Sequence, residues 1–137
     1  GFYPDSISSD LHVQSMNAAM MDMPTTMSKC LAMGMPLPEV ISRSTAAPAR
    51  MIGHPELGHL SPGAPADIAL WNLREGAFAF KDSVGGRMRG STRFECEMTF
   101  RDGEIVWDLN ARDAAEYGDL PFNAGVREGE YIIPPDR

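Results

Sequence analysis

From Thr92 to Arg101 apolar and polar positions alternate without a break. Phe94, Cys96, Met98 and Phe100 fall on one side, and Arg93, Glu95, Glu97 and Thr99 on the other. A period of two is that of a strand with one buried face. Asp102-Gly103 follows, a dipeptide suited to a two-residue hairpin turn. Folding back about it sets Phe100 opposite Ile105 and Met98 opposite Trp107, with all four apolar groups on one face. Their burial is expected to contribute about 6–12 kcal/mol before conformational entropy is subtracted. Upstream, Ala66-Asp67-Ile68-Ala69-Leu70-Trp71 is apolar on both alternations after Asp67, which predicts a central strand covered on two sides. Ser61-Pro62-Gly63 is turn chemistry, and Gly85-Gly86 and Arg89-Gly90 suit the loop leading into the hairpin.

The period changes nearer the N-terminus. Tyr3 to His12 reads as a short strand ending in polar residues. A methionine-rich stretch, Met16 to Met23, follows. Pro24 suits the first turn of a helix that Asp22 can cap. Met27, Cys30, Leu31 and Gly34 recur at steps of three and four, and Gly34 with Pro36 is a stop signal. Pro38 begins a second helix, continued by Val40, Ile41, Ser44 and Thr45. Pro48 cannot sit within that helix and starts a new short turn running to Ile52 and closed by Gly53. Because methionine fills irregular gaps, Met16, Met20, Met21, Met23 and Met27 are expected to pack a core or a subunit contact. Past the hairpin, Ala111 to Tyr117 predicts one short helix, capped by Asn110 and ended by Gly118. Ile132-Ile133-Pro134-Pro135 reads as an extended tail.

Composition narrows the classes. At 137 residues the chain is one domain or pieces of two, and 43% hydrophobic with 23% charged residues is a folding composition. No run approaches the roughly 18 apolar residues of a membrane helix, so no membrane partner is expected. The N-terminus shows no basic region followed by an apolar run, so no export signal is expected. A net charge of −7 repels phosphate backbones, so nucleic acid is not an expected partner. Cys30 and Cys96 fit no paired metal spacing or disulfide framework and read as free thiols of a cytoplasmic protein. His54 and His59 flank a turn and read as surface histidines. Arg87, Arg89 and Arg93 form a small basic cluster, read as a solvated strand face, with a clamp for carboxylate or phosphate as the alternative. No phosphate loop, nucleophile elbow or dinucleotide fingerprint is present.

Four pieces carry a resemblance. Ser44-Thr45-Ala46-Ala47-Pro48-Ala49-Arg50-Met51-Ile52-Gly53 resembles the last helix of the amidohydrolase superfamily. Gly58 to Ile68, through Ser61-Pro62-Gly63 and Asp67, resembles the turn and strand by which those enzymes re-enter a small β-domain. Phe100 to Trp107 is similar to that domain's closing hairpin. Ser8-Ser9-Asp10-Leu11-His12 resembles the end of the eighth barrel strand, which carries a metal-binding aspartate. This last form and the methionine-rich segment most resemble the deacetylase and D-aminoacylase-like branch, near dihydroorotase.

The resemblance implies an α/β fold plus β structure: the last strand and helices of a (β/α)8 barrel joined to a small composite β-sandwich. Its expected boundaries are 1–57 for the barrel segment, 58–108 for the β-domain and 109–137 for a C-terminal tail. It implies hydrolysis of a small-molecule amide, another C–N bond or an acyl bond by water bound to a divalent metal, usually zinc. Asp10 would ligate that metal and carry the proton from the attacking water to the leaving nitrogen. His12, two residues on, is a weaker candidate for substrate contact, and Asp67 is expected to be structural. The family's His-x-His pair, its lysine carboxylate bridge and its histidines on strands five and six have no counterparts here. The chain is therefore expected to be the C-terminal part of such an enzyme, inactive and without bound metal alone. Its barrel-facing helices, deprived of partners, are expected to associate as a homo-oligomer or to be partly disordered. The alternative is a non-catalytic β-rich module for interaction or oligomerisation.

Overall fold

In a computed structural model, which describes residues 2–17 and 22–119, a three-stranded antiparallel meander is flanked by four short helices. The helices are α1 (Val13–Asn17), α2 (Met23–Ala32), α3 (Leu37–Ser44) and α4 (Ala46–Met51). The strands are β1 (Ile68–Lys81), β2 (Arg87–Arg101) and β3 (Glu104–Asp108), in the order β1-β2-β3.

Local chemistry places the helix ends. The Asp22 carboxylate accepts from Thr25 N at 2.7 Å, and Pro24 sits in the first turn of α2. The helix closes with Gly34 N donating to Leu31 O and Met35 N to Cys30 O, the paired bonds of a Schellman end, with Gly34 at φ 90°. The break between α3 and α4 falls at Thr45 (φ −134°, ψ −91°), one residue before the end expected from periodicity. α4 begins two residues before Pro48, which stays in the first turn where its missing N–H costs nothing. α1 was not expected from the pattern.

Ile7, Met27, Cys30, Met35, Val40 and Phe94 form the buried core, with Tyr3, Met23, Leu31, Ile41 and Trp71 packed against it. Trp71 meets Phe94 edge to face, with centroids 5.8 Å apart. Met27 and Met23 thus fill core positions as expected, whereas Met16 is exposed. Met20 and Met21 lie outside the described residues. β3 pairs only with Met98 to Arg101. Farther up β2, the buried Ser28 hydroxyl of α2 accepts from Phe94 N at 2.9 Å and donates to Pro24 O at 2.6 Å. Helix α2 therefore covers a stretch of strand edge that no other strand pairs.

Several expectations are corrected by long-range packing. Residues 3–10 form no ladder among the described residues; they tie to α3 instead. Ile7 N donates to Arg43 O at 2.7 Å, the Arg43 guanidinium donates to Pro4 O, and it lies over the Tyr3 ring. A strand needs a neighbour to pair with, and here the neighbour is a helix. β1 is an edge strand, mostly exposed, because β2 stands between it and β3. Arg89-Gly90 lies within β2. Gly90 is there for close approach: a Cβ would stand 3.1 Å from the Ala32 Cβ and 2.8 Å from the Phe80 ring.

The hairpin turn forms as read, with Asp102 (φ 51°) and Gly103 (φ 84°) both left-handed. Phe100 does face Ile105. The register then shifts: Thr99 faces Trp107 and Met98 faces Asp108, leaving Val106 as the extra residue of a bulge. A second irregularity leaves Glu97 unpaired between Cys96 and Met98 on the β1 side. One added residue reverses the side on which every later residue falls. Met98 is buried, but Trp107 is 52% exposed and Ile105 is also exposed, so the expected burial of all four groups is not realised.

No helix spans Ala111 to Tyr117; turns lead to a 3-10 segment at Tyr117–Asp119. The Asp108 carboxylate draws in the N–H groups of Asn110 and Arg112, and Ala111 takes φ 50°, which a helix cannot contain. Residues 120–137, including Ile132 to Pro135, lie outside the described residues. Arg112 ties this turn to β2 through Asp108 (3.0 Å), Glu97 Oε2 (3.6 Å) and the Glu97 carbonyl (3.1 Å). Burial raises the Asp108 pKa, but the Arg112 bond and the two N–H donors outweigh it and hold the carboxyl below its ordinary 3.8. A depressed carboxylate pKa stabilises the fold fully above the unfolded value and loses that contribution as pH falls through the folded one. Acid titration is therefore expected to release the 108–112 turn below about pH 4, read as amide exchange at Asn110 and Arg112, and Asp108→Asn removes that pH step.

Candidate functional site

Asp10 adopts φ 46°, a left-handed conformation that aspartate tolerates better than most residues. Two serines shape the loop around it. Asp10 N donates to Ser8 Oγ at 3.3 Å. Ser15, one turn into α1, donates its hydroxyl to Asp10 O and accepts from His12 N at 2.8 Å. The loop is thus pinned by its own hydroxyls while the Asp10 carboxylate projects outward, 87% exposed.

His12 stands beside it, half exposed, with Nε2 at 3.5 Å from Asp10 Oδ2. Its Nδ1 accepts from Gln14 N at 3.2 Å. The neutral ring then carries its proton on Nε2, the nitrogen that faces the carboxylate. The structure brings these two sequence candidates together. They form a carboxylate with an imidazole nitrogen at its flank, both open to solvent.

The other titratable candidates lie apart. His54 Nδ1 meets Glu56 Oε1 at 2.8 Å, and that bond holds the Glu56 carboxyl below its ordinary range. Asp67 has the structural role expected of it: its Oδ1 accepts from Asp102 N at 2.8 Å, while Gly103 N reaches Ala66 O, so it braces the hairpin turn. Burial pushes the Cys30 thiol up, and Cys96 Sγ lies 3.4 Å from Thr99 Oγ1; both are free. Arg87, Arg89 and Arg93 are exposed along β2.

A hydrolytic zinc centre uses three protein ligands and an open position. Among the described residues no group of three or more His, Cys, Asp or Glu is placed to hold a metal. The Asp10 carboxylate is a suitable single oxygen ligand, but the described residues do not make up a metal centre on their own.

One feature escaped the sequence reading. Met23, Met27, Ile41, His59, Ile68 and Trp71 line an open, largely apolar cavity of about 550 Å³. Ser44 also faces it, with a buried Oγ lacking a hydrogen-bond partner among the described residues. Its walls come from α2, α3, the 58–60 turn and β1, and no local pattern signals that these four segments meet.

The family model described as "Amidohydrolase family" matches residues 4–107. A deacetylase from Brucella anthropi is 40% identical over 95 residues, covering 69% of this chain and 24% of that protein. A deacetylase from Agrobacterium fabrum is 38% identical over 95 residues, covering 69% and 23%. An imidazolonepropionase from Ectopseudomonas mendocina is 36% identical over 87 residues, covering 62% and 20%. The chain thus spans about a quarter of the length of the curated relatives it matches. Among solved structures, an adenine deaminase superposes with a TM-score of 0.71 at 28% identity, over 76% of this chain and 28% of that one. A dihydroorotase superposes with a TM-score of 0.70 at 34% identity, over 77% and 28%.

Proposed function

The chain belongs to the amidohydrolase family, and on that premise we propose that it forms the C-terminal part of a metal-dependent hydrolase of the deacetylase-like branch, cleaving a small-molecule amide or acyl bond. The observation that carries this reading is the Asp10 loop. Within the family-matched segment, the Ser8-Ser9-Asp10-Leu11-His12 run folds so that its own serines hold the backbone and leave the carboxylate projecting outward.

In this reading Asp10 is the proton carrier. One carboxylate oxygen accepts the proton that the attacking water gives up as its oxygen bonds to the scissile carbon. The same proton passes to the leaving nitrogen as the C–N bond breaks. His12 Nε2 stands 3.5 Å from that carboxylate and, half exposed, is available to the substrate. Amidohydrolases are generally metal-dependent, and Asp10 would offer one ligand to such a metal; the other ligands would come from the rest of a longer polypeptide. The small β-domain of this reading corresponds to β1–β3, with its composite partner sheet contributed by the rest of the polypeptide.

A cytoplasmic location is part of the proposal, and the free thiols Cys30 and Cys96 are in keeping with it. Among the described residues no helix is long and apolar enough to cross a membrane. The family match over residues 4–107 disfavours the alternative of a non-catalytic interaction module.

The test compares two polypeptides on N-acetylated amides with added zinc. The 137-residue chain alone is expected to show no turnover. The same segment joined to the remaining barrel staves is expected to hydrolyse the amide. Turnover by the short chain, or none by the longer one, overturns the reading.

A further inference from the structure

The periodicity of the chain does not call for α1, and five residues are too few to hold a helix by propensity alone. Its first turn accounts for it. His12 N donates to Ser15 Oγ at 2.8 Å, and Gln14 N donates to His12 Nδ1 at 3.2 Å. Met16 N donates to His12 O at 2.9 Å, the first bond of the helix. His12 is therefore the N-cap and Ser15 the third helical residue, and each side chain takes up one of the backbone N–H groups that a helix start leaves over. That is the reciprocal arrangement of a capping box, built here from an imidazole and a hydroxyl.

The Ser15 hydroxyl reaches further back than a cap needs. Its one proton has two acceptors in range, Asp10 O at 2.5 Å and His12 O at 3.0 Å, and the shorter contact is to Asp10. A single oxygen atom thus links the carbonyl of Asp10 to the N–H of His12. It does so beside a residue held at φ 46°, a conformation that a non-glycine residue keeps only where its surroundings fix it. Ser15 is the one partly buried residue between Asp10 and Met16. Ser8, by contrast, is exposed and offers Asp10 N a single, longer bond at 3.3 Å.

We propose, on the reading of Asp10 as proton carrier, that Ser15 is a positioning residue for the reaction. Its hydroxyl sets the backbone from Asp10 to His12 and thereby the direction in which the Asp10 carboxylate points. Its bonds go to backbone groups and not to the carboxylate, so its loss leaves the proton-carrying group chemically intact but free to turn away. Proton transfer needs a carboxylate oxygen within hydrogen-bond reach of both the attacking water and the leaving nitrogen, and a displacement of about 1 Å is enough to break that geometry. The same box divides the two nitrogens of His12. Nδ1 is taken by the helix start, so Nε2 alone is left to meet Asp10 or the substrate.

Two substitutions at one position test this. In the complete hydrolase, Ser15→Ala is expected to lower kcat by about 10–100-fold, the loss typical of removing a group that orients an active-site ligand. KM is expected to stay within about threefold of the wild-type value, and the melting curve to be unchanged, because the damage falls on the direction of one carboxylate. Ser15→Thr keeps the hydroxyl and is expected to hold kcat within about threefold of wild type. In the 137-residue chain, amide exchange at His12 is expected to quicken about tenfold in Ser15→Ala, the worth of one hydrogen bond, and to be unchanged in Ser15→Thr. Unchanged exchange in Ser15→Ala overturns the proposal whatever the enzyme does. So does a kcat loss that threonine does not restore, or one that comes with a collapsed melting curve. Asp10→Asn in the same enzyme separates the two readings. If it abolishes turnover while Ser15→Ala does not lower it, only the role of Ser15 fails; if it leaves turnover intact, the proton-carrier reading fails and the role of Ser15 with it.

Discussion

Asp10→Asn is expected to lower kcat of the complete hydrolase by about 10³-fold or more while leaving thermal unfolding unchanged. Proton transfer by a positioned side chain contributes about 10²–10⁴-fold, and an amide can neither accept nor deliver that proton. The substitution is conservative for structure. The side chain is 87% exposed, so nothing packs on it, and asparagine tolerates φ 46° as well as aspartate does. Surface changes of this kind shift stability by no more than about 0.5 kcal/mol. The loss should therefore fall on kcat, with the melting curve as the control. Near-wild-type turnover removes Asp10 from the mechanism. Lost turnover with a collapsed melting curve assigns it to the fold instead.

Phe94→Ala has the largest expected effect on stability, about 3–5 kcal/mol by denaturant titration. Phe94 is 3% exposed, meets Trp71 edge to face, and belongs to the core cluster that joins α2 to the sheet. Removing its ring leaves a cavity under α2 at the point where the Phe94 N–H bonds to Ser28. Trp107→Ala supplies the contrast. In the alternating pattern both aromatics read as core residues, yet Trp107 is 52% exposed and its truncation should cost less than about 1 kcal/mol. Equal losses at the two positions would show that the register past Phe100 is the one read from the turn alone.

These two aromatics show where legibility ends. The Asp102-Gly103 turn was readable because both residues favour positive φ, and Phe100 facing Ile105 follows from it. The next pair along does not follow. Val106 adds one residue, and no local preference marks it as a bulge. The expected helix at Ala111 to Tyr117 failed for a related reason. Asn110 was read as its cap, but Asp108 captured the N–H groups first, supported by Arg112 reaching across to Glu97. Tyr3 to His12 read as a strand and instead ties to Arg43 through Ile7 and Pro4. At the site, Asp10 and His12 were singled out separately, and only the fold of the loop sets them 3.5 Å apart.

The sequence by itself determined whatever a few neighbouring residues settle among themselves. That covers the Asp22 cap and Pro24 start of α2, its closure at Gly34, the left-handed hairpin turn, and the serine-held Asp10 loop. The helix ends and the Asp10 loop rest on bonds spanning at most five residues, and the turn on the positive φ that Asp102 and Gly103 tolerate, with Asp67 bracing it from afar. Only the tertiary structure decided that β1 is an edge, that α2 seals the upper edge of β2, that two irregularities turn Trp107 outward, and that four segments enclose the apolar cavity. Those outcomes depend on which distant surfaces compete for the same apolar face and the same unpaired backbone groups. That competition is resolved by packing across the whole sheet, not by the preferences of any one segment.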